Sequence, residues 1–127
     1  MTLEAADSLE ILQLVARADA RATARDAEGY VALFTEDAVM EGEEGSASGR
    51  DSLATAVARV WEDEAAGTLH LTLNAEIEES APEPTVASTL LLITPLSSSP
   101  VAGTAEIRQR VRRTSSGWRI SSRTITK

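Results

Sequence analysis

The chain has 127 residues, of which 43% are hydrophobic, a size and composition that suit one domain with a packed core. It has no cysteine, which excludes a disulfide scaffold, a thiolate metal site and a cysteine nucleophile. Its net charge of −8 argues against a nucleic-acid-binding protein, which needs a basic surface. The longest apolar run, residues 90–93, is far too short to span a bilayer, and the first residues do not resemble a signal peptide. We therefore expect a soluble cytoplasmic protein that contacts neither nucleic acid nor membrane.

The first element is predicted to be an amphipathic helix that ends near Thr23. Asp7 and Glu10 have the spacing of a capping box and are expected to open it. Apolar residues recur at helical spacing and form one stripe: Ile11, Leu14, Val15, Ala18 and Ala22.

A second, shorter helix is predicted over residues 27–34, with Asp26 as its cap. Residues 38–41 then predict a short strand, and residues 42–49 (GEEGSASG) predict a flexible acidic loop. Ser48 and Asp51 again have capping-box spacing, which indicates a third helix to about residue 64. The apolar stripe of this third helix is Leu53, Val57, Val60 and Trp61.

After Gly67 the hydrophobic period changes from 3.6 to 2, which indicates strands. Leucines at 69, 71 and 73 alternate with polar residues, so the leucine face of this strand is expected to be buried. Further strands are predicted over residues 85–94, 101–114 and 118–126. Helices followed by an antiparallel meander predict an α+β fold, with three helices packed on one face of the sheet.

Four arginines lie close together on the predicted strand 101–114, at positions 108, 110, 112 and 113. A spacing of two places the first three on one strand face. Residues 1–64 hold 15 of the 20 acidic residues, so these arginines are expected to pair with that acidic half or to face solvent. An anion or nucleic-acid site is the alternative.

Several short motifs in this order resemble one protein family. They are Asp26 followed by YVALFTEDAV at residues 30–39, Gly49-Arg50 before a helix, HLTLN at 70–74, and GWRI at 117–120 with Arg123. Together they resemble the SnoaL-like branch of the superfamily related to nuclear transport factor 2. The resemblance implies a cone-shaped α+β barrel, in which helices pack in the concave face of a curved, mostly antiparallel sheet around a pocket. It also implies homodimers. Members of the family include isomerases, dehydratases, cyclases and epoxide hydrolases, and others only bind a ligand or a partner, so the resemblance leaves the activity open.

Asp19 is the first candidate catalytic residue. On the helical wheel it lies at the edge of the apolar stripe, where partial burial raises a carboxyl pKa unless a cation pairs with it. Relatives often carry an aspartate at the position of Thr23, and Asp19 lies one turn earlier on the same side. The alternative is a structural ion pair with Arg50 or Arg123.

His70 is the second candidate, because it is the only histidine and the only side chain with an unperturbed pKa near neutrality. Some relatives place a pocket histidine near the start of this strand. Strict alternation, however, groups His70 with Thr72 and Asn74 on the polar or dimer-forming face. One histidine and no cysteine predict no metal site, and no cofactor-binding motif is present.

Gln109 is predicted to be an inward polar residue on its strand, where it could orient a ligand or satisfy buried backbone groups. Relatives often place tyrosine and aspartate on this strand, at the positions of Ile107 and Gln109. Four large side chains could line the pocket or serve as ordinary core: Tyr30, Phe34, Met40 and Trp61.

The sequence therefore predicts a single domain over residues 1–127 that holds a small apolar molecule bearing a carbonyl or hydroxyl group. Asp19 or His70 would move a proton, and Gln109 would orient the ligand. The alternative is a non-catalytic domain of the same fold that binds a ligand or a protein partner, or simply dimerises.

Overall fold

The computed structural model of the chain describes residues 2–43, 45–79 and 83–127. Within these ranges it contains three helices and six strands, and none of the helices is long and apolar enough to cross a membrane. In chain order the elements are α1 (Ala5–Thr23), α2 (Ala27–Val31), β1 (Phe34–Gly42), β2 (Gly45–Ser48), α3 (Arg50–Glu62), β3 (Leu69–Glu78), β4 (Thr85–Ile93), β5 (Val101–Thr114) and β6 (Gly117–Thr126).

The six strands form one sheet in the order β2-β1-β6-β5-β4-β3. All neighbours are antiparallel except β1 and β6, which are parallel, and the sheet is open because β2 and β3 are its edges. The helices pack against this sheet, which confirms the predicted α+β class. The mostly antiparallel order follows from the small number of residues between successive strands from β3 to β6, since a parallel pair needs a long connection.

Helix α1 begins earlier than predicted. Glu4 is its N-cap, and the Glu4 backbone N–H donates to Oδ2 of Asp7 at 3.1 Å. The predicted capping box between Asp7 and Glu10 is therefore wrong, because Oε2 of Glu10 instead accepts a hydrogen bond from the backbone N–H of Trp118 at 2.7 Å. The predicted apolar stripe is confirmed, since all five of its members are buried.

Helix α2 ends at Val31, three residues before the predicted end, and Phe34 starts β1. The reason is tertiary: the Ile120 backbone N–H donates to the Leu33 carbonyl at 2.9 Å, and Arg50 Nη2 donates to the Phe34 carbonyl at 2.6 Å. These contacts hold the chain after α2 against β6 and α3 in the extended conformation that starts β1.

The prediction of an acidic loop at residues 42–49 is also wrong for most of that segment. Residues 45–48 form β2, which pairs with β1 in a hairpin, and Glu44 lies outside the described residues. Gly49 caps α3 in place of Ser48, with a backbone φ of 84° that suits glycine. Val60, predicted to be on the buried stripe of α3, is 46% exposed.

One large core fills the space between the helices and the inner face of the sheet. We call it the main apolar cluster, and burying each of its large side chains contributes about 1.5–3 kcal/mol. Its buried members are Ile11, Leu14, Val15, Ala18, Ala22, Tyr30, Val31, Phe34, Ala38, Met40, Leu53, Val57, Trp61, Val86, Val111, Trp118 and Ile120. A second apolar cluster, of Leu90, Ala105 and Ile107, lies further along the sheet.

A bulge in β3 changes which residues of this strand face the interior. The β3–β4 pairing shifts register between Leu73 and Glu76, and Asn74 has a φ of 56° in the left-handed region. Before the bulge His70 is buried, whereas Leu71 and Leu73 are 38% and 43% exposed. The prediction that the leucine face is buried is therefore wrong for this half of the strand.

Three arginines of β5 form ion pairs among the described residues, but the acidic half of the chain supplies only some of the partners, namely Asp37 for Arg112 and Asp7 for Arg113. Arg108 Nη2 lies 2.6 Å from Glu78 Oε2. Arg112 Nε lies 2.7 Å from Glu83, and Arg113 Nη2 lies 2.6 Å from Asp7. The Arg113 guanidinium also lies over the Trp118 ring, so one arginine side chain links α1 to β6.

Candidate functional site

Buried polar side chains cross the inner face of the sheet between the two apolar clusters. On β4, Ser88 lies between Val86 of the main apolar cluster and Leu90 of the second. On β5, Gln109 lies between Val111 of the main cluster and Ile107 of the second.

Arg123 continues this row on β6, where it pairs in register with Gln109 on one side and Met40 on the other. We call Ser88, Gln109 and Arg123 the polar belt. All three side chains are buried, and Gln109 and Arg123 are only 1% and 7% exposed. Arg123 Nη1 donates to Gln109 Oε1 at 3.1 Å. Sequence alternation thus placed Gln109 on the correct face.

Each member of the polar belt has a buried polar atom with no hydrogen-bond partner among the described residues. These atoms are Ser88 Oγ, Gln109 Nε2 and Arg123 Nε. Buried polar groups in folded proteins are nearly always hydrogen-bonded, so three such atoms on the inner face of adjacent strands mark a place that calls for a polar partner.

Asp19 extends from α1 toward the start of β3 and is partly buried, as the helical wheel predicted. Burial raises the pKa of its carboxyl above the ordinary value of 3.8, against hydrogen bonds from Thr72 and the charges of Arg123 and His70. Within the described part of the chain, no arginine forms an ion pair with Asp19. The alternative of an ion pair with Arg50 or Arg123 is therefore wrong.

His70 lies in the interior and not on an outer polar face, so the placement inferred from strict alternation is wrong. Its Nε2 lies 2.8 Å from Oε1 of Glu64, a residue of the loop between α3 and β3. Its backbone N–H donates to Oγ1 of Thr23 at 2.9 Å, and its ring stands edge-on to Trp61 with centroids 6.3 Å apart. Thr23 thus holds the start of β3 through its hydroxyl.

The four large side chains predicted as pocket lining are all part of the main apolar cluster. Tyr30 stands edge-on to Trp61 at 5.3 Å between centroids and packs on Phe34 at 5.1 Å. Burial raises the pKa of the Tyr30 hydroxyl, and the charge of Arg123 opposes that rise. Tyr30, Trp61 and Met40 therefore border the polar groups, while Phe34 is buried in the core.

Two open clefts lie elsewhere on the surface and are not lined by the predicted pocket residues. One, of about 560 Å³, lies between β2 and α3 and includes Asp51 and Arg59. The other, of about 680 Å³, is bordered by Arg50, Arg112 and Arg119. The described residues hold no group of three histidine, aspartate or glutamate side chains that could bind a metal ion.

The interior thus contains three residues to which sequence reasoning gave no role in the site: Glu64, Ser88 and Thr72. Glu64 was predicted at the end of a helix. The sequence feature that could have indicated its contact with His70 is its position six residues earlier, across a short turn. Ser88 carried a usable signal, because it is a lone polar residue at an inward position of a largely apolar strand.

The profile of the family described as SnoaL-like domain matches residues 3–124, nearly the whole chain. The chain belongs to the SnoaL-like family. This membership confirms the resemblance drawn from the short motifs. No curated protein matches the sequence at a significant level.

Solved structures extend the likeness of this SnoaL-like chain. A protein of unknown function with a cystatin-like fold from Nostoc punctiforme is 31% identical, with a TM-score of 0.89 over 98% of this chain and 93% of the other. A nuclear transport factor 2-like protein with a cystatin-like fold from Novosphingobium aromaticivorans is 25% identical, with a TM-score of 0.80 over 94% and 80%. A candidate aromatic ring hydroxylase from the same organism shares the fold at 16% identity and a TM-score of 0.83, over 98% and 91%.

Proposed function

We propose that this SnoaL-like domain binds a small apolar molecule with a carbonyl or hydroxyl group in its interior and moves a proton on it. The observation that carries the proposal is the meeting of Asp19, on α1, with the His70–Glu64 pair at the same face of β3. His70 and Thr72 are two residues apart on that face, and both bear on the pKa of Asp19. Two proton-carrying groups that meet away from bulk solvent are what acid–base catalysis needs.

The environment of each group suits it to proton transfer. Because burial raises the pKa of Asp19, its carboxyl is a better proton acceptor than an exposed aspartate and keeps its proton closer to neutral pH. The Glu64 carboxylate, 2.8 Å from Nε2 of His70, favours a proton on that nitrogen. In neutral His70 the other ring nitrogen, Nδ1, is then a free acceptor.

Isomerisation next to a carbonyl is the simplest reaction that these residues support. The Asp19 carboxylate would take a proton from the carbon beside the ligand carbonyl, and the electron pair left on that carbon would form an enolate. The enolate oxygen would accept a hydrogen bond from Nε2 of Gln109. Return of that proton from Asp19 to another carbon would complete an isomerisation with no change in oxidation state. Dehydration and cyclisation begin with the same proton removal.

Exchange of hydrogen for deuterium in a simple ketone tests this chemistry directly. We expect the protein to accelerate exchange at the carbon beside the carbonyl of 2-tetralone in D2O, followed by proton NMR. Asp19→Asn is expected to lower the protein-dependent rate at least tenfold. Asp63→Asn, which changes an exposed aspartate in the loop after α3, is the matched control and is expected to keep the rate. A rate equal to that of buffer for the unmodified protein would reject the proposal.

The outer face of β3 supports the alternative in which the domain assembles as a homodimer. Leu71 and Leu73 are exposed on this face, and Glu76 beside them is exposed as well. The outer face of β5 carries the opposite charge through the exposed Arg110. In a dimer with a two-fold axis, the outer faces of β3 and β5 of one subunit pack against the same faces of the second copy. Apolar groups and oppositely charged groups then meet across the interface. A dimer is compatible with catalysis or with plain binding in the interior.

A further inference from the structure

The three unpartnered atoms of the polar belt share one chemical property. Arg123 Nε and Gln109 Nε2 can only donate hydrogen bonds, and the Ser88 hydroxyl can donate or accept. They come from three adjacent strands, β4, β5 and β6, whose neighbours lie about 4.8 Å apart. Gln109 pairs in register with Arg123, whereas Ser88 pairs with Ile107 and so lies diagonally from Gln109. A ligand that satisfies all three must therefore offer acceptor oxygens to Gln109 and Arg123 and extend along the sheet toward Ser88.

The orientation of Gln109 is fixed by its neighbour. Arg123 Nη1 lies 3.1 Å from the side-chain oxygen of Gln109 and has only hydrogens to offer. If the amide were turned over, two donors would face each other. The amide nitrogen of Gln109 must therefore point away from Arg123, toward the unsatisfied side of the belt.

Arg123 adds a charge to these donors. Its guanidinium stays protonated in proteins, it is 7% exposed, and no acidic side chain of the described residues pairs with it. An isolated buried charge is costly, whereas one paired with an anion through hydrogen bonds is tolerated. The side edge of a guanidinium, which includes Nε, is one that carboxylates bind through two parallel hydrogen bonds.

Asp19 does not fill this role. It senses the charge of Arg123, but desolvation is the larger effect and raises its pKa, which is the reverse of what a close ion pair does. The pair also lacks an N–O contact within 4.0 Å in the described structure. Asp19 therefore stays available for proton transfer while Arg123 still lacks an anionic partner.

We infer that the interior binds the carboxylate group of an organic acid, held by Ser88, Gln109 and Arg123, with the hydrocarbon part of the acid against Leu90 and Ile107. This inference rests on the proposed small-molecule site and narrows its ligand from any carbonyl- or hydroxyl-bearing molecule to a carboxylic acid. The second apolar cluster directly beside the belt gives the hydrocarbon a matching surface. Asp19 would then act on a carbon of an acid whose carboxylate is fixed by the belt.

Matched pairs of acids and amides test the inference, because they share size and shape and differ in charge. We would measure dissociation constants by calorimetry at pH 7.5 for benzoate, phenylacetate and 2-naphthoate and for their primary amides. At least one acid is expected to bind ten times more tightly than its amide, or better. Arg123→Gln is expected to remove that preference, and Ser88→Ala, a mild change that should fold even if the arginine variant does not, is expected to reduce it severalfold. Arg17→Gln, a change of an exposed arginine on α1 away from the belt, should leave it unchanged.

The outcomes separate this inference from the proposed function. If the amides or 2-tetralone bind in the interior at least as tightly as the acids, the carboxylate site is wrong and the small-molecule site stands. If no acid of the panel binds, the inference is rejected, and the ketone exchange measurement then decides separately on the proton-transfer function. An acid preference that survives both Arg123→Gln and Ser88→Ala would place the anion elsewhere and overturn the assignment.

Discussion

His70 Nε2 lies 2.8 Å from Glu64 Oε1, and the two side chains are only 7% and 13% exposed. Glu64 belongs to the loop after α3, so this contact fixes the loop against the first residues of β3. A buried polar atom that loses its partner costs about 1–3 kcal/mol. We therefore expect Glu64→Ala to lower the free energy of unfolding in urea by that amount. Glu62→Ala, which changes an exposed glutamate two residues earlier, is the control. Equal losses in the two variants would show that the contact contributes nothing specific.

Asp19 should make stability depend on pH in a direction opposite to that of most aspartates. Burial raises its pKa in the folded protein above 3.8, so the folded state holds its proton to higher pH than the unfolded state does. The contribution of protonated Asp19 to stability is therefore fully present below pH 3.8, and it is lost as the pH rises through the pKa of Asp19 in the folded protein. Asp19→Asn, which stays uncharged, should match the unmodified protein at low pH and become the more stable of the two near pH 7. Urea unfolding at a series of pH values measures this difference.

Asp7 is a control for these unfolding measurements, because its effect on stability should change with pH in the opposite direction. Its hydrogen bond with Arg113 is the main cause that holds its pKa below 3.8, so its contribution to stability is present above 3.8 and is lost as pH falls through the folded pKa. Asp7→Asn should therefore be destabilising near pH 7, with an effect that shrinks in acid. A pH-independent difference for Asp19→Asn would show that its carboxyl is not desolvated.

Asn74 holds the bulge of β3 in the left-handed region, with φ at 56°. Asparagine and glycine tolerate this region, whereas a β-branched residue costs about 1–2 kcal/mol there. We expect Asn74→Val to lower the free energy of unfolding by about that amount and Asn74→Gly to change it by less than 1 kcal/mol. Urea unfolding of the three proteins is the measurement. A valine variant as stable as the unmodified protein would mean that the bulge does not hold this conformation in solution.

The exposed leucines of β3 predict the oligomeric state. We expect a dimer mass by light scattering at micromolar concentration, and a monomer mass for the double variant Leu71→Lys, Leu73→Lys, which places like charges across the two-fold axis. Because both side chains are more than a third exposed, the double variant should remain folded by circular dichroism. Val60→Lys, a change of an exposed apolar residue on α3, should leave the mass unchanged. A monomer mass for the unmodified protein would refute the dimer.

Local signals in the sequence determined much of this protein. Helix α1 and its buried stripe follow from 3.6-residue periodicity, since a helix places residues three and four apart on one face whatever surrounds it. Alternation placed Gln109 inward on β5, and burial at the edge of a stripe anticipated the raised pKa of Asp19. The order of short motifs was enough to name the family. The helical period and the strand alternation each arise within one element.

Only the tertiary structure decided the orientation of β3 and the composition of the interior. The bulge at Asn74 shifts the two-residue period, so His70 faces inward and the leucines before the bulge face outward, although their hydrophobicity predicts the reverse. The contact of Glu64 with His70 crosses a turn. The polar belt exists only because strand pairing places Gln109 opposite Arg123 and leaves Ser88 diagonal to Gln109 on the same face. Register and bulges depend on pairing between distant segments, and no local pattern in the sequence encodes that pairing.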